Sequence, residues 1–208
     1  MSAPLPRLAV LVSGGGRSLE NLVVRARDGR LNAHVALVVS SSANAGAIAR
    51  CARLGIPCIV LRRRDHADDA SFEDALYALL LRERIDLVVL AGYLARFPLR
   101  PAFAGRVVNI HPALLPSFGG KGFFGHHVHE AVLAAGAKVS GCTVHFVDDQ
   151  YDRGPIIVQR VVPVLDDDDA DALAARVFDA ELEALPEAIN LFAAGRLVVE
   201  GSRVRIRP

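Results

Sequence analysis

Residues 8–12 (LAVLV) form an unbroken apolar run that ends in the polar turn Ser13-Gly14-Gly15-Gly16. A short continuous run closed by glycine predicts a strand covered on both faces, as in the middle of a parallel sheet. Helical periodicity follows at 18–27, with Ser18 as the expected N-cap and Gly29 just past the end. The alternation then repeats. A strand at 35–39 leads through a serine-rich turn to a small-residue helix at 45–54, which Gly55 stops. A third strand at 58–61 and a charged loop precede an amphipathic helix at 70–84, whose apolar stripe is Phe72, Leu76, Leu79 and Leu80. Strands at 87–90 and 107–110 are separated by an irregular connection containing Pro98 and Pro101.

Beyond residue 110 the pattern loosens. Segment 116–125 is rich in glycine and phenylalanine and is expected to be a mobile loop, followed by a helix at 127–135. After Gly141 the residues alternate, with Cys142, Val144 and Phe146 on one face and Thr143, His145 and Val147 on the other, as in a strand with one polar side. A further strand at 156–164, a helix at 170–194 interrupted around Pro186, and a small terminal hairpin turning at Gly201-Ser202 complete the chain. The expected fold is α/β: a single Rossmann-like domain over residues 1–208. Its central sheet is mostly parallel, with about seven strands and helices on both faces, and becomes mixed toward the C-terminal half.

Composition narrows the functional class. The chain has 208 residues, 52% of them hydrophobic and 23% charged, and a formal net charge of +1. So even a balance gives no footprint for nucleic acid, and no apolar stretch reaches the length of a membrane span. The basic triplet Arg62-Arg63-Arg64 is either a local phosphate contact or an ordinary solvated loop face. Three cysteines, Cys51, Cys58 and Cys142, match no disulfide framework or zinc spacing, so a reducing, cytoplasmic setting is expected. The apolar run after Arg7 is too short for a signal peptide.

Two stretches carry candidate chemistry. Asn109 and His111 lie one residue apart at the end of a buried strand, so their side chains share a face where open α/β sheets bind ligands. They can equally be a strand end satisfied by backbone groups. Joined by Asp152 from the turn at 149–155, they suit acyl transfer: the amide donates to a developing oxyanion, the imidazole moves or holds a proton, and the carboxylate orients and charges it. The second stretch, Ser13 to Ser18, is a phosphate cradle or common strand-to-helix packing. A dinucleotide fingerprint would need glycine where Leu19 stands, and a Walker loop would need Gly-Lys-Ser/Thr, so a small phosphorylated substrate is favoured. His126, His127, His129 and Glu130 invite a metal reading, but 127 and 129 cannot share one helix face, and no metal is expected. The run Asp166 to Asp169 reads as an acidic helix start, and Glu181 as an exposed residue three turns along that helix.

The stretches LAVLVSGGGRSLENL, DLVVLAGYL, GRVVNIHPALLPSF and KVSGCTVHFVDDQYDRGPIIVQ together resemble the phosphoribosylglycinamide formyltransferases, folate-dependent enzymes of purine synthesis. The resemblance covers essentially the whole chain. It implies transfer of a formyl group from 10-formyltetrahydrofolate, as co-substrate, to the primary amine of 5-phosphoribosylglycinamide, the third step of de novo purine synthesis. By the same resemblance Asn109, His111 and Asp152 are the catalytic trio, while Gly16, Arg17, Ser18 and Glu181 bind the ribonucleotide. Leu94, Ala95, Arg96, Phe97, Asp148 and Asp149, with Asn109 and Asp152, surround the folate, partly through backbone groups; His127 and His145 line the cleft. Residues 1–105 would be the phosphate-binding half and 106–208 the catalytic and folate half. Small-molecule substrates, no nucleic acid, no membrane, and a monomer or weak homodimer are expected. Methionyl-tRNA formyltransferases and formyltetrahydrofolate hydrolases share the motifs but carry an extra domain, for which 208 residues leave no room. Three departures stand out: Arg17-Ser18 replaces the usual Ser-Asn, the connection after Gly92 is shorter and lacks Met-Arg-Ile, and 119–125 is longer than in some relatives.

Overall fold

The computed structural model describes residues 4–208. The chain separates into two compact units, residues 1–107 and 108–208, and its class is α/β.

In the first unit the elements are β1 (Arg7–Val12), α1 (Arg17–Arg27), β2 (His34–Ser40), α2 (Gly46–Leu54), β3 (Cys58–Val60), α3 (Asp69–Arg82) and β4 (Leu87–Leu90). The strands pair in the order β3-β2-β1-β4, all parallel, which is half of a doubly wound sheet. The apolar runs predicted this: every residue from Leu8 to Val12 is fully buried, as a strand covered on both faces must be. Helix α3 begins in a capping box, with the Asp68 carboxylate accepting from the Ser71 N–H at 2.8 Å, and buries Phe72, Leu76, Tyr77, Leu79 and Leu80. After β4 the irregular connection is pinned by Tyr77, whose hydroxyl donates to the Pro98 carbonyl and accepts from the Arg100 N–H, both at 2.7 Å. One expectation fails here. Ser18 does not cap α1; Gly16 does, with φ 75°, so the helix starts at Arg17. A Cβ at position 16 would stand 2.8 Å from the Ala47 Cβ, which requires glycine on steric as well as torsional grounds.

The second unit contains β5 (Val107–His111) from its second residue on, α4 (His126–Ala134), β6 (Val139–Phe146), β7 (Ile156–Pro163), α5 (Ala170–Ala193), β8 (Leu197–Glu200) and β9 (Arg203–Ile206). Its strands run β5-β6-β7-β9-β8, with β5, β6 and β7 successively antiparallel. The register sets Asn109 opposite His145 and His111 opposite Thr143. The terminal hairpin is not a separate feature: β9 pairs with β7 at Ile156 and Arg203, so nine strands rather than about seven are present among the described residues. Nor is α5 interrupted at Pro186. It runs 24 residues through the proline, because the buried Ala184, Leu185, Ala188 and Ile189 hold the helix on both sides of the one missing N–H. No helix among the described residues is long and apolar enough to cross a membrane.

Candidate active site

Strand β5 delivers two polar side chains at its C-terminal end, and β6 supplies a third across the ladder. The Asn109 Nδ2 donates to Nε2 of His145 at 3.1 Å and to Oδ1 of Asp152 at 3.3 Å. His145 is fully enclosed, and its Nδ1 lies 2.8 Å from the Phe146 carbonyl. That carbonyl requires a proton on Nδ1, so in the neutral ring Nε2 is the acceptor that the Asn109 amide needs. Both amide hydrogens of Asn109 are thereby turned toward side chains.

His111 is 3% exposed, and its Nε2 donates to the carbonyl of Phe118 at 2.8 Å. Its Nδ1 lies 3.6 Å from Oδ2 of Asp152. Burial pulls the His111 pKa down, the Asp152 charge and the Phe118 carbonyl pull it up, and neighbouring His145 adds to the downward side; the net direction is down. The imidazolium expected from the pairing with Asp152 is therefore not the resting form at neutral pH. A neutral ring with its proton on Nε2 is.

Asp152 sits in the turn after β6 with φ 55°, a left-handed conformation that aspartate tolerates better than most residues. Burial alone would raise its carboxyl, but contact with His145 and the Gly120 N–H, which donates to Oδ2 at 2.9 Å, outweigh it and lower the pKa. The carboxylate is thus held ionised, and the Asn109 amide donates to its other oxygen. Close packing of the turn needs Gly154, where a Cβ would stand 1.8 Å from the Phe146 carbonyl oxygen.

The loop after β5 completes the cluster. Buried Thr143 holds its beginning: the hydroxyl donates to the Ala113 carbonyl at 2.7 Å and accepts from the Leu115 N–H and Gln159 Nε2, each at 3.0 Å. Phe118, at φ 54°, turns its carbonyl onto His111, and Gly119 passes so close to Asp152 that a Cβ there would lie 3.3 Å from the Asp152 Cβ. The sequence marked this loop for mobility; it gave no sign that two of its backbone groups bind the catalytic candidates, because backbone groups carry no residue-type signal.

Other candidates fall elsewhere. Gly16 caps α1 in the first unit, Arg17 and Ser18 are the helix's first two residues, and positions 14 and 15 before them have open space beside them. Leu94 is 59% exposed and its N–H donates to the Ser13 hydroxyl at 2.9 Å. Ala95 lines a cavity of about 410 Å³ together with Ser41, Asn44, Tyr93 and the arginines Arg62, Arg63 and Arg64. Arg96 is exposed, whereas Phe97 is 3% exposed and packs its ring against Tyr77, a core role. Asp148 closes its own turn by accepting from the Gln150 N–H at 2.8 Å, and Asp149 is exposed. Glu181 is half-buried rather than exposed. Burial first, then the charge of Glu181, raise the Cys142 thiol to about 12, which puts this carboxylate beside β6. His145 joins the cluster; His127 does not, its side chain being 67% exposed and paired with Glu130 at 3.1 Å. His129, by contrast, is buried with Nδ1 lacking a partner among the described residues, and the charge of His126 reinforces the downward pull of burial on its pKa. No group of three or more His, Cys, Asp or Glu side chains among the described residues is arranged to hold a metal ion.

This geometry has counterparts in known proteins. The sequence pattern of the family described as formyl transferase matches residues 6–189. The chain is 40% identical over 194 residues, 92% of its length, to the chloroplastic phosphoribosylglycinamide formyltransferase of Vigna unguiculata. It spans 62% of that protein, less than two thirds of the length of such curated relatives. A solved glycinamide ribonucleotide transformylase 1 from Symbiobacterium toebii superposes with a TM-score of 0.92 at 40% identity, covering 100% of this chain and 96% of that one. A formyltetrahydrofolate deformylase from Pseudomonas syringae superposes with a TM-score of 0.89 at 25% identity, over 99% of this chain and 67% of that one. The chain is an α/β protein whose amide, imidazole and carboxylate converge at a strand end, and it belongs to the formyl transferase family. Within that family, the two relatives of highest identity named above carry phosphoribosylglycinamide formyltransferase or transformylase names.

Proposed function

We propose that the chain transfers the formyl group of 10-formyltetrahydrofolate to the primary amine of 5-phosphoribosylglycinamide. The observation that carries this reading is the acceptor on His111: a carbonyl oxygen, that of Phe118, occupies Nε2 at 2.8 Å, beside the Asn109 amide and the ionised Asp152. The formyl oxygen takes the place of that carbonyl when the loop yields. The amine nitrogen then attacks the formyl carbon, the carbonyl π pair moves onto oxygen, and His111 Nε2–H stabilises the oxyanion, an effect of about 3 kcal/mol per well-aimed donor. Collapse breaks the bond to the folate nitrogen N10. The attacking amine loses one proton and N10 gains one, with Asp152 as the group that accepts and returns it through water. A neutral His111 suffices, since its Nε2–H donates without a net charge.

In this reading the turn at Gly16, Arg17 and Ser18 takes the ribonucleotide phosphate, Glu181 approaches the same substrate, and residues 94–97, 148 and 149 lie along the folate. The arginines beside Ala95 suit the carboxylates at the folate's glutamate end. Residues 1–105 serve the phosphate and 106–208 the chemistry. The enzyme works in the cytoplasm as a monomer or weak homodimer, a setting in keeping with the free thiols of Cys51, Cys58 and Cys142. Likeness to a deformylase favours one second reading, hydrolysis of the formylfolate. Mixing the protein with 10-formylfolate, with and without the ribonucleotide, and following deformylated folate by absorbance separates the two. Turnover that needs the amine supports transfer; turnover without it means hydrolysis; none in either case refutes both.

A further inference from the structure

The glycine turn is held from behind, and the way it is held decides which of its atoms face a ligand. The Gly14 carbonyl accepts from the Ala47 N–H at 3.1 Å, and the Gly15 carbonyl accepts from Nε of Arg50 at 2.9 Å. Both donors belong to α2. In a trans peptide the N–H points opposite to the C=O, so drawing these two carbonyls toward α2 aims the Gly15 and Gly16 N–H groups away from it. Successive N–H groups turned to one side, at the positive end of a helix, form an anion-binding concavity. The first carbonyl is fixed by backbone, independent of residue type. The second depends on one side chain.

Arg50 is itself fixed. Its terminal nitrogen pairs with Glu20 on α1, and Glu20 also accepts from Arg53 at 2.6 Å. The network therefore ties α1, the turn and α2 together behind the open positions 14 and 15. Resting on the reading above that this turn grips the ribonucleotide phosphate, we propose that Arg50 is a positioning residue for that grip: by holding the Gly15 carbonyl it aims the Gly16 N–H at the phosphate, without itself touching the reacting atoms.

The test compares the wild type with Arg50→Met and Arg50→Lys on two amines, the phosphorylated ribonucleotide and the same glycinamide riboside without its phosphate. Arg50→Met should raise the KM for the phosphorylated amine about tenfold, as for one lost charge-assisted hydrogen bond, with kcat and the folate KM within about twofold. Its kcat/KM for the riboside should equal that of the wild type. Arg50→Lys, which keeps a cationic donor, should recover part of the loss. Equal losses on both amines, or an unchanged KM, overturn the proposal. A wild type that shows no preference for the phosphorylated amine instead overturns the underlying reading of the turn. Should Arg50→Met fail to fold, Glu20→Gln decides: it loosens the guanidinium and should reduce the phosphate preference in the same direction, and an unchanged preference counts against the idea.

Discussion

The Phe118 carbonyl oxygen lies 2.8 Å from Nε2 of His111, so a backbone group of the loop already satisfies the donor that we propose serves the transferred carbonyl. The loop is docked twice, since the Gly120 N–H two residues on holds Asp152. In the proposed mechanism, binding exchanges one carbonyl for another at the same nitrogen. At rest the loop backbone thereby supplies a partner to the His111 Nε2–H and to the Asp152 carboxylate, as a buried imidazole and carboxylate need.

His111 is expected to titrate below 6.5 in the folded protein. The unfolded chain then takes up this proton at higher pH than the folded chain does. The stability contributed by the neutral ring is complete above the ordinary histidine pKa and is lost as pH falls through the folded one. Imidazole proton shifts followed by NMR check the value, and kcat should not decline between about pH 6.5 and 8 as an obligatory imidazolium would demand. His111→Gln should flatten the stability curve in the window just below 6.5.

Asp152→Asn should lower kcat about 100-fold while changing the KM values less than about threefold, because the carboxylate is asked to act as charge accumulates and protons move rather than in initial binding. Steady-state kinetics on both substrates check it, and equal losses in the two terms would count against the role. The carboxyl's lowered pKa also contributes stability that is present above the ordinary carboxylate pKa and lost as pH falls through the folded value. The amide variant should lack that part of the acid limb.

Thr143→Val keeps the shape of a fully buried side chain but leaves the Leu115 N–H without its acceptor and the Ala113 carbonyl without its donor. Destabilisation of about 2 kcal/mol is expected from urea melts, accompanied by a weaker hold on the loop and a lower kcat/KM.

Gly154→Ala forces a methyl group to within 1.8 Å of the Phe146 carbonyl, and that neighbour is backbone that cannot rotate away. Thermal or urea unfolding should show a loss of about 3 kcal/mol, with activity falling because Asp152 rides on the same turn.

Much of this was readable in the chain, for identifiable reasons. Strands β1, β2 and β4 are short apolar runs closed by glycine or serine, a signal that burial on both faces explains, and Leu8 to Val12 obeys it without exception. Asn109 and His111 stood out as a polar pair on one face at the end of such a run, where open α/β sheets bind ligands. Phe118 and Gly120 did not, since they act through main-chain atoms. Glu181 reads as an exposed helical residue until β6 is packed beside it, a tertiary fact that periodicity does not encode. Ser18 has the better capping side chain, yet the turn chose Gly16 because Ala47 stands where any Cβ would go. Pro186 breaks helices on propensity alone, and here burial on either side overrides it.

The most direct measurement traces the carbon itself. Wild-type enzyme given 10-formyltetrahydrofolate labelled with ¹³C at the formyl group, together with the ribonucleotide amine, should yield label in the new formamide one for one with deformylated folate, as read by ¹³C NMR. Label recovered as free formate, with the amine unchanged, would contradict transfer at the site built by Asn109, His111 and Asp152.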